Sequence, residues 1–139
     1  MYATGYKDRR FSVSYDALRR VSYQLGLVGA IINTRVNQIA AFAQPYRGAQ
    51  QVGYILRFKD DTYQPSDSEK KAIQRMERMI HETGFGDNPF SVYPRDNFET
   101  FLRKITRDSL TYDQMCFEVV PDTDGRPYEF RAVDASTIR

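Results

Sequence analysis

The chain of 139 residues has no tryptophan, one cysteine (Cys116) and one histidine (His81). A single cysteine excludes an internal disulfide and any zinc or iron–sulfur site built from several thiolates. A single histidine excludes a His-rich metal centre and argues against a His-based triad. No apolar run approaches the roughly 20 residues of a membrane-spanning helix. Residues 1–10 are polar and carry no apolar signal-peptide core. Charge of one sign is lacking too: 20 basic residues stand against 18 acidic ones, a formal net charge of +2. That balance does not suit a histone-like coat on nucleic acid. The expectation is a soluble domain of a reducing compartment, with no membrane partner.

What is present suffices for a packed core. Hydrophobic residues make up 41% and aromatic residues 14% of the chain, which argues against wholesale disorder. The length fits one domain with an extended arm. Residues 1–13, with Gly5 and the Asp8-Arg9-Arg10 run, read as that arm, and residues 14–139 as a single α+β domain. Ser14 is a candidate N-cap with Asp16 in the first turn, and Leu18, Val21 and Leu25 recur at helical spacing before Gly26. A second helix is expected between Gly29 and Pro45. Its apolar stripe is Val28, Ile32, Val36, Ile39 and Ala43, with Asn33, Thr34, Asn37 and Gln38 opposite.

Gln51 to Phe58 alternates, with Val52, Tyr54, Leu56 and Phe58 on one face, and is predicted to be a strand. Ser66 with Glu69 forms a capping box opening a third helix, which has Ala72, Ile73, Met76, Met79 and Ile80 inside and Gly84 past its end. Residues 85–95 read as a loop. Asp96 with Glu99 resembles a second capping box, and Phe98, Phe101, Leu102 and Ile105 give a fourth helix its apolar face. Met115–Val120 and Tyr128–Val133 alternate around Asp124-Gly125, the signature of a two-residue type I′ hairpin. That turn sets Glu118 opposite Arg131 and Val119 opposite Phe130; a four-residue loop would oppose Glu118 to Glu129, which like charge disfavours. The fold class is α+β, with amphipathic helices packed on a small mixed or antiparallel sheet that includes a C-terminal hairpin.

Catalysis needs an activated nucleophile, a tuned carboxylate pair or a metal, and the residues offer none clearly. His81 ends the third helix, where a cation suits the helix dipole without any catalytic role. Cys116 lies in a predicted strand, far in sequence from His81, and reads as a packed thiol. Asp122-Thr123-Asp124-Gly125 resembles the start of a calcium loop, but an EF-hand needs glycine sixth and glutamate twelfth. Here glycine comes fourth and Val133 twelfth, so the turn reading holds. Gly84-Phe85-Gly86 is not a phosphate loop, because no Lys-Ser or Lys-Thr follows. No cofactor, no metal and no enzymatic activity are expected.

One constellation stands out. Arg103, Lys104 and Arg107 cluster on one side of the fourth helix, away from Phe101 and Ile105. They read either as a solvated face with Glu99–Arg103 and Lys104–Asp108 pairs or as a contact for an acidic partner, a neighbouring subunit or a phosphate backbone. Arg19 and Arg20 of the first helix admit the same two readings.

Two stretches carry a resemblance. One is Ala30-Ile31-Ile32-Asn33-Thr34-Arg35-Val36-Asn37-Gln38-Ile39-Ala40. The other runs from Asp96-Asn97-Phe98-Glu99-Thr100-Phe101-Leu102 through Phe117-Glu118-Val119-Val120 to the closing Val133-Asp134-Ala135-Ser136-Thr137-Ile138. Together, over roughly Leu18 to Arg139, the chain resembles the N-terminal, wing part of tailed-bacteriophage portal proteins. The resemblance implies a structural subunit of a homo-oligomeric ring, typically of twelve copies, at one capsid vertex of the virion, assembled in the host cytoplasm. Double-stranded DNA would be packaged and ejected through the channel. The major capsid protein, terminase and neck or tail proteins would be its partners. Such portals are several times longer, so stem, clip and crown regions are expected to be absent here, in a partial chain or a shortened relative. The alternative is a small nucleic-acid-binding or regulatory α+β domain using the basic helix face. No second wide apolar stripe is evident beside the core faces, and the isolated chain is therefore expected to be monomeric or weakly associating.

Overall fold

The computed structural model describes residues 13–49, 51–60, 62–84 and 96–138. The expected arm, apart from Val13, and the expected loop at 85–95 lie outside the described residues. Helix α1 spans Tyr15–Gln24, and the Ser14 side chain caps it by accepting the Ala17 N–H at 3.2 Å. The break comes at Leu25, whose φ of −86° and ψ of 101° leave the helical region, and α2 (Gly26–Ala40) starts at once. Gly26 therefore opens α2 rather than closing α1, and Gly29 lies inside α2. A Cβ on Gly29 would stand 3.0 Å from the Ser22 carbonyl, so the missing side chain lets α1 and α2 approach. A 3₁₀ turn, Ala41–Ala43, follows α2 before Pro45.

Ile32, Val36, Ala40 and Ala43 are buried at spacings of four, four and three, the core stripe of α2. Leu27, Ile31, Ile39 and Phe42 are exposed, with Leu27 at 76% and Ile31 at 54%. Two corrections follow. Ile39 leaves the core stripe, and α2 carries a second apolar stripe that faces solvent.

The strand expected at 51–58 is absent. Only an isolated parallel bridge between Pro45 and Tyr54 forms. Tyr46 donates to the Tyr54 carbonyl at 2.8 Å, and Tyr54 donates to the Gln44 carbonyl at 3.0 Å. The alternation survives from Tyr54 onward, since Tyr54, Leu56 and Phe58 are half-buried while Ile55 and Arg57 are exposed, but Val52, expected on the covered face, is exposed. Alternation reports which side is covered, whereas a strand also needs an extended neighbour for its ladder.

Helix α3 (Asp67–His81) opens on the expected capping box: the Ser66 hydroxyl accepts the Glu69 N–H, and a Glu69 carboxylate oxygen accepts the Ser66 N–H at 2.8 Å. Ile73, Met79 and Ile80 are half-buried, but Ala72 and Met76, expected inside, are exposed. Past its end Thr83 takes φ 55° and Gly84 φ 157°. The Thr83 carbonyl accepts the Phe130 N–H at 2.8 Å, tying the end of α3 to the hairpin.

Helix α4 (Phe98–Tyr112) is capped by Asn97 rather than Asp96: the Asn97 side chain accepts the Thr100 N–H at 2.8 Å. Its apolar face is as expected, with Phe101 buried and Phe98, Leu102 and Ile105 half-buried. The Phe101 ring stands 5.8 Å from the Phe117 ring, edge to face, which seats α4 on the hairpin.

Strands β1 (Cys116–Pro121) and β2 (Pro127–Val133) form a two-stranded antiparallel sheet. Glu118 opposes Arg131 and Val119 opposes Phe130, the expected register. The turn that produces it differs. Gly125 donates to the Asp122 carbonyl and alone takes a left-handed φ, 77°, while Asp122 donates to the Arg126 carbonyl. This is a three-residue loop with a G1-type bulge, not a two-residue type I′ turn. The pairing then slips by one between Val120 and Pro121, and that slip restores the expected register. A short 3₁₀ turn, Ala135–Thr137, follows, capped by Asp134. The architecture is α+β: four α-helices and a C-terminal hairpin among the described residues.

Candidate functional site

Helix α4 projects its basic residues toward both its neighbours. Arg103 donates from Nε and Nη2 to Glu99 Oε1 at 2.9 and 2.8 Å, and from Nη1 to Asn37 Oδ1 at 2.5 Å. Arg107 donates from Nη2 to Asn33 Oδ1 at 2.5 Å and lies 6.0 Å from the centre of the Tyr23 ring. Both arginines therefore bridge α4 to α2. The sequence placed Asn33 and Asn37 on the polar side of the second helix but gave them no partner. Their matched four-residue spacing with Arg103 and Arg107 was the signal that could have found them.

Lys104 turns the other way and pairs with Asp96 at 2.7 Å. The expected Lys104–Asp108 pair does not form, because an Asp108 oxygen accepts the Ala135 N–H at 2.9 Å. Arg19 pairs with Asp134 at 3.1 Å. The Tyr112 hydroxyl, then Asp134, holds the Arg19 guanidinium above its ordinary pKa. Asp134 itself sits below the usual carboxylate range, chiefly through the Ser136 hydroxyl and N–H and then through Arg19. Arg20 is exposed and has no carboxylate partner among the described residues.

These placements meet at a cleft of about 320 Å³ between α4 and the end of β2, lined by Lys104, Arg107, Asp108, Ala132, Val133 and Asp134. Arg19 reaches it through Asp134, while Arg103 and Arg20 do not line it. Its two carboxylates are already occupied by the chain's own donors. Arg107 is bonded to neutral Asn33, and its charge has no carboxylate partner among the described residues. The cleft can hold an anionic group by charge; it presents no nucleophile–base pair. Among the described residues no group of three His, Cys, Asp or Glu could hold a metal ion, and no helix is long and apolar enough to cross a membrane.

A second cavity, about 310 Å³, lies between the end of α3, α4 and the hairpin. Ile80, Thr83, Phe98, Phe101, Phe117 and Phe130 line it, without a titratable group. Cys116 is a half-buried free thiol, and His81 keeps a buried Nδ1 without a hydrogen-bond partner among the described residues.

The fold and the cleft thus define a small α+β module whose surface chemistry is charge and exposed apolar side chains. No family model matches the chain. Two curated phage proteins match nearly all of it. The "Probable portal protein" of Enterococcus phage phiEF24C is 36% identical over 138 residues, 96% of this chain. The "Probable portal protein" of Staphylococcus phage Twort (strain DSM 17442 / HER 48) is 38% identical over 136 residues, 94% of this chain. The chain resembles a fragment of a phage portal protein, and it spans 23% of the length of each of these relatives.

Proposed function

We propose that this chain is the wing part of a portal ring at a phage capsid vertex, with residues 14–139 acting as one structural unit. The supporting observation is the identity of 36–38% with two portal proteins over about 95% of the chain. In this reading the role is structural and not enzymatic, and the module is a component of the virion. The ring would have about twelve copies and would pass double-stranded DNA during packaging and ejection, a channel connector for terminase, the major capsid protein and neck or tail proteins.

The basic residues have unequal parts in such an assembly. Arg103, Lys104 and Arg19 each hold a carboxylate of their own chain, so contact with an acidic partner would first have to break an ion pair. Among the described residues Arg107 and Arg20 hold none, and they are the stronger candidates for a neighbouring subunit or DNA phosphate. Charge reversal of both in the full-length portal protein is expected to lower packaged DNA per particle without unfolding the protein. Unchanged assembly and packaging would return both residues to a purely structural or solvated role.

The cleft favours one alternative, a nucleic-acid-binding domain. A steep fall of duplex-DNA affinity with salt for the isolated chain, reduced by Lys104→Glu and Arg107→Glu, would support it; weak binding with a flat salt response supports the portal wing.

A further inference from the structure

We infer that the outer edge of β1 is the docking site of this chain's own N-terminal segment, residues 1–12, which adds to the hairpin as a third, antiparallel strand. The inference stands on the open edge and its charge, and it goes beyond the portal reading without resting on it.

The face of β1 belongs to α4, since Phe117 packs edge to face on Phe101. Its outer edge does not. Among the described residues β1 pairs with β2 alone. The outer edge of β2 is held by the end of α3, through the Phe130 N–H on the Thr83 carbonyl and the Gly84–Glu129 bridge. Because that N–H points away from β1, Val119 and Phe130 form a non-hydrogen-bonded pair of the ladder. The antiparallel alternation then turns the N–H and C=O groups of Phe117 and Val119 to the open edge. A hairpin of two strands is marginal in water, and a third strand stabilises it. A strand laid there would also shield Met115, Phe117 and Val119, which are 57%, 49% and 44% exposed.

Helix α1 starts at the end of the hairpin from which β1 departs. The Tyr15 ring meets the ring of Tyr112, shortly before Cys116, at 5.4 Å. Arg19 pairs with Asp134, the neighbour of Val133, which opposes Cys116. Ser14 is extended and Val13 is exposed, so the chain enters α1 from the surface. A segment reaching this point along β1 runs toward Cys116, whereas β1 runs away from it, and the pairing is therefore antiparallel. Twelve extended residues span up to about 40 Å. The length of β1 is about 20 Å, which leaves several residues for the connection.

Charge identifies the occupant. From Asp113 to Asp124 the chain carries four carboxylates and no cation. Arg131, opposite Glu118, donates from Nε and Nη2 to Glu129 at 2.8 and 3.0 Å, which leaves Glu118 without an ion pair among the described residues. Residues 1–12 carry Lys7, Arg9 and Arg10 against the single Asp8, with Tyr2, Tyr6 and Phe11 as aromatic side chains. A basic, aromatic segment tethered beside an acidic open edge has the composition and the effective concentration that strand addition needs.

Amide hydrogen exchange of the 139-residue chain, read by NMR, tests this. The Phe117 and Val119 amides should exchange at least roughly tenfold more slowly than unstructured peptide, and equally so after a roughly tenfold dilution. Arg10→Pro combined with Phe11→Pro removes a ladder donor whichever way the segment faces, because adjacent N–H groups of a strand point to opposite sides. The Phe117 and Val119 amides should then lose their protection, while those of Glu118 and Arg131, paired within the hairpin, keep theirs. If the proline pair opens the hairpin as well, Arg9→Glu combined with Arg10→Glu decides. Protection at Phe117 and Val119 should fall in that variant, and adding Glu118→Lys should restore it. Unprotected Phe117 and Val119 amides in the wild-type chain overturn the inference. So does protection that survives both variants, which would mean that another segment covers the edge. Protection that fades on dilution overturns it too, because the segment would then come from a second copy. None of these outcomes touches the packaging test of Arg107 and Arg20, so the two readings fail separately.

Discussion

Arg107 of α4 and Asn33 of α2 meet at 2.5 Å, and one turn back along α4 Arg103 meets Asn37, one turn on along α2, at the same distance. Two rungs with opposite directions along the two helices fix the register of α2 against α4. Each is a hydrogen bond from a charged donor to a neutral amide at a partly wet interface, so neither is worth the full charge-assisted value. Arg107→Ala and Asn33→Ala should each lower stability by about 0.5–1.5 kcal/mol in urea unfolding. A double-mutant cycle on that pair should show a coupling of roughly 0.5 kcal/mol or more. The cross pair Arg103 with Asn33 should show a smaller one.

Phe101 is the aromatic centre of the helix-on-hairpin contact, buried, between the rings of Phe98 and Phe117. Phe101→Ala should destabilise by about 3–5 kcal/mol, toward the lower end because an apolar cavity already borders the ring. The midpoint of guanidinium unfolding measures it. A loss below about 1 kcal/mol would mean that the contact is not part of the core.

Ser66→Ala removes one half of the α3 capping box and should cost about 1 kcal/mol. The other half gives a pH dependence. The Ser66 hydroxyl and N–H, and then the Tyr63 hydroxyl, hold Glu69 below its ordinary pKa. A lowered folded-state pKa means that the carboxylate contributes stability above its unfolded pKa and loses it as pH falls through the folded value. Asp60 and Asp134 are shifted in the same direction, each chiefly by a neighbouring hydroxyl, Thr62 and Ser136. Stability should therefore fall as pH drops from the ordinary carboxylate range toward more acid values, and Ser66→Ala should flatten part of that fall in thermal unfolding.

Gly53 lies where the segment after α2 crosses back beside Gln44 and Tyr46. A Cβ there would run into the Gln44 carbonyl and stand 3.0 Å from the Tyr46 nitrogen, both backbone atoms that cannot swing aside. Gly53→Ala should break the Pro45–Tyr54 bridge and destabilise by about 1–3 kcal/mol. Hydrogen exchange at the Tyr46 and Tyr54 amides should accelerate with it.

Local signals carried much of the fold. Ser14, the Ser66–Glu69 box and the Phe98-Phe101-Leu102-Ile105 face each encode their element within one or two helical turns, where backbone capping and periodicity act. The hairpin register was also legible, because Glu118 against Arg131 is favoured by charge whatever the turn. The turn itself was not: Asp-Gly suits both a two-residue loop and a bulged three-residue one, and the slip at Pro121 hides the difference. At the candidate site, the basic side of α4 was visible but its partners were not. Asn33 and Asn37 stand roughly 70 residues away in sequence, and nothing local announces a contact of that separation.

By itself, then, the sequence determined the helices, their caps, the hairpin and the portal resemblance, because each is written in short-range periodicity or in a continuous run of residues. Only the tertiary structure decided whether an apolar residue is core or surface, and whether an extended segment becomes a strand. Residues 51–58 have the alternation of a strand and lack a ladder partner among the described residues, while α2 carries Leu27, Ile31, Ile39 and Phe42 exposed although both α1 and α4 pack on it. Burial and strand pairing belong to pairs of elements, so a single segment specifies what it can offer and its neighbours settle what is used.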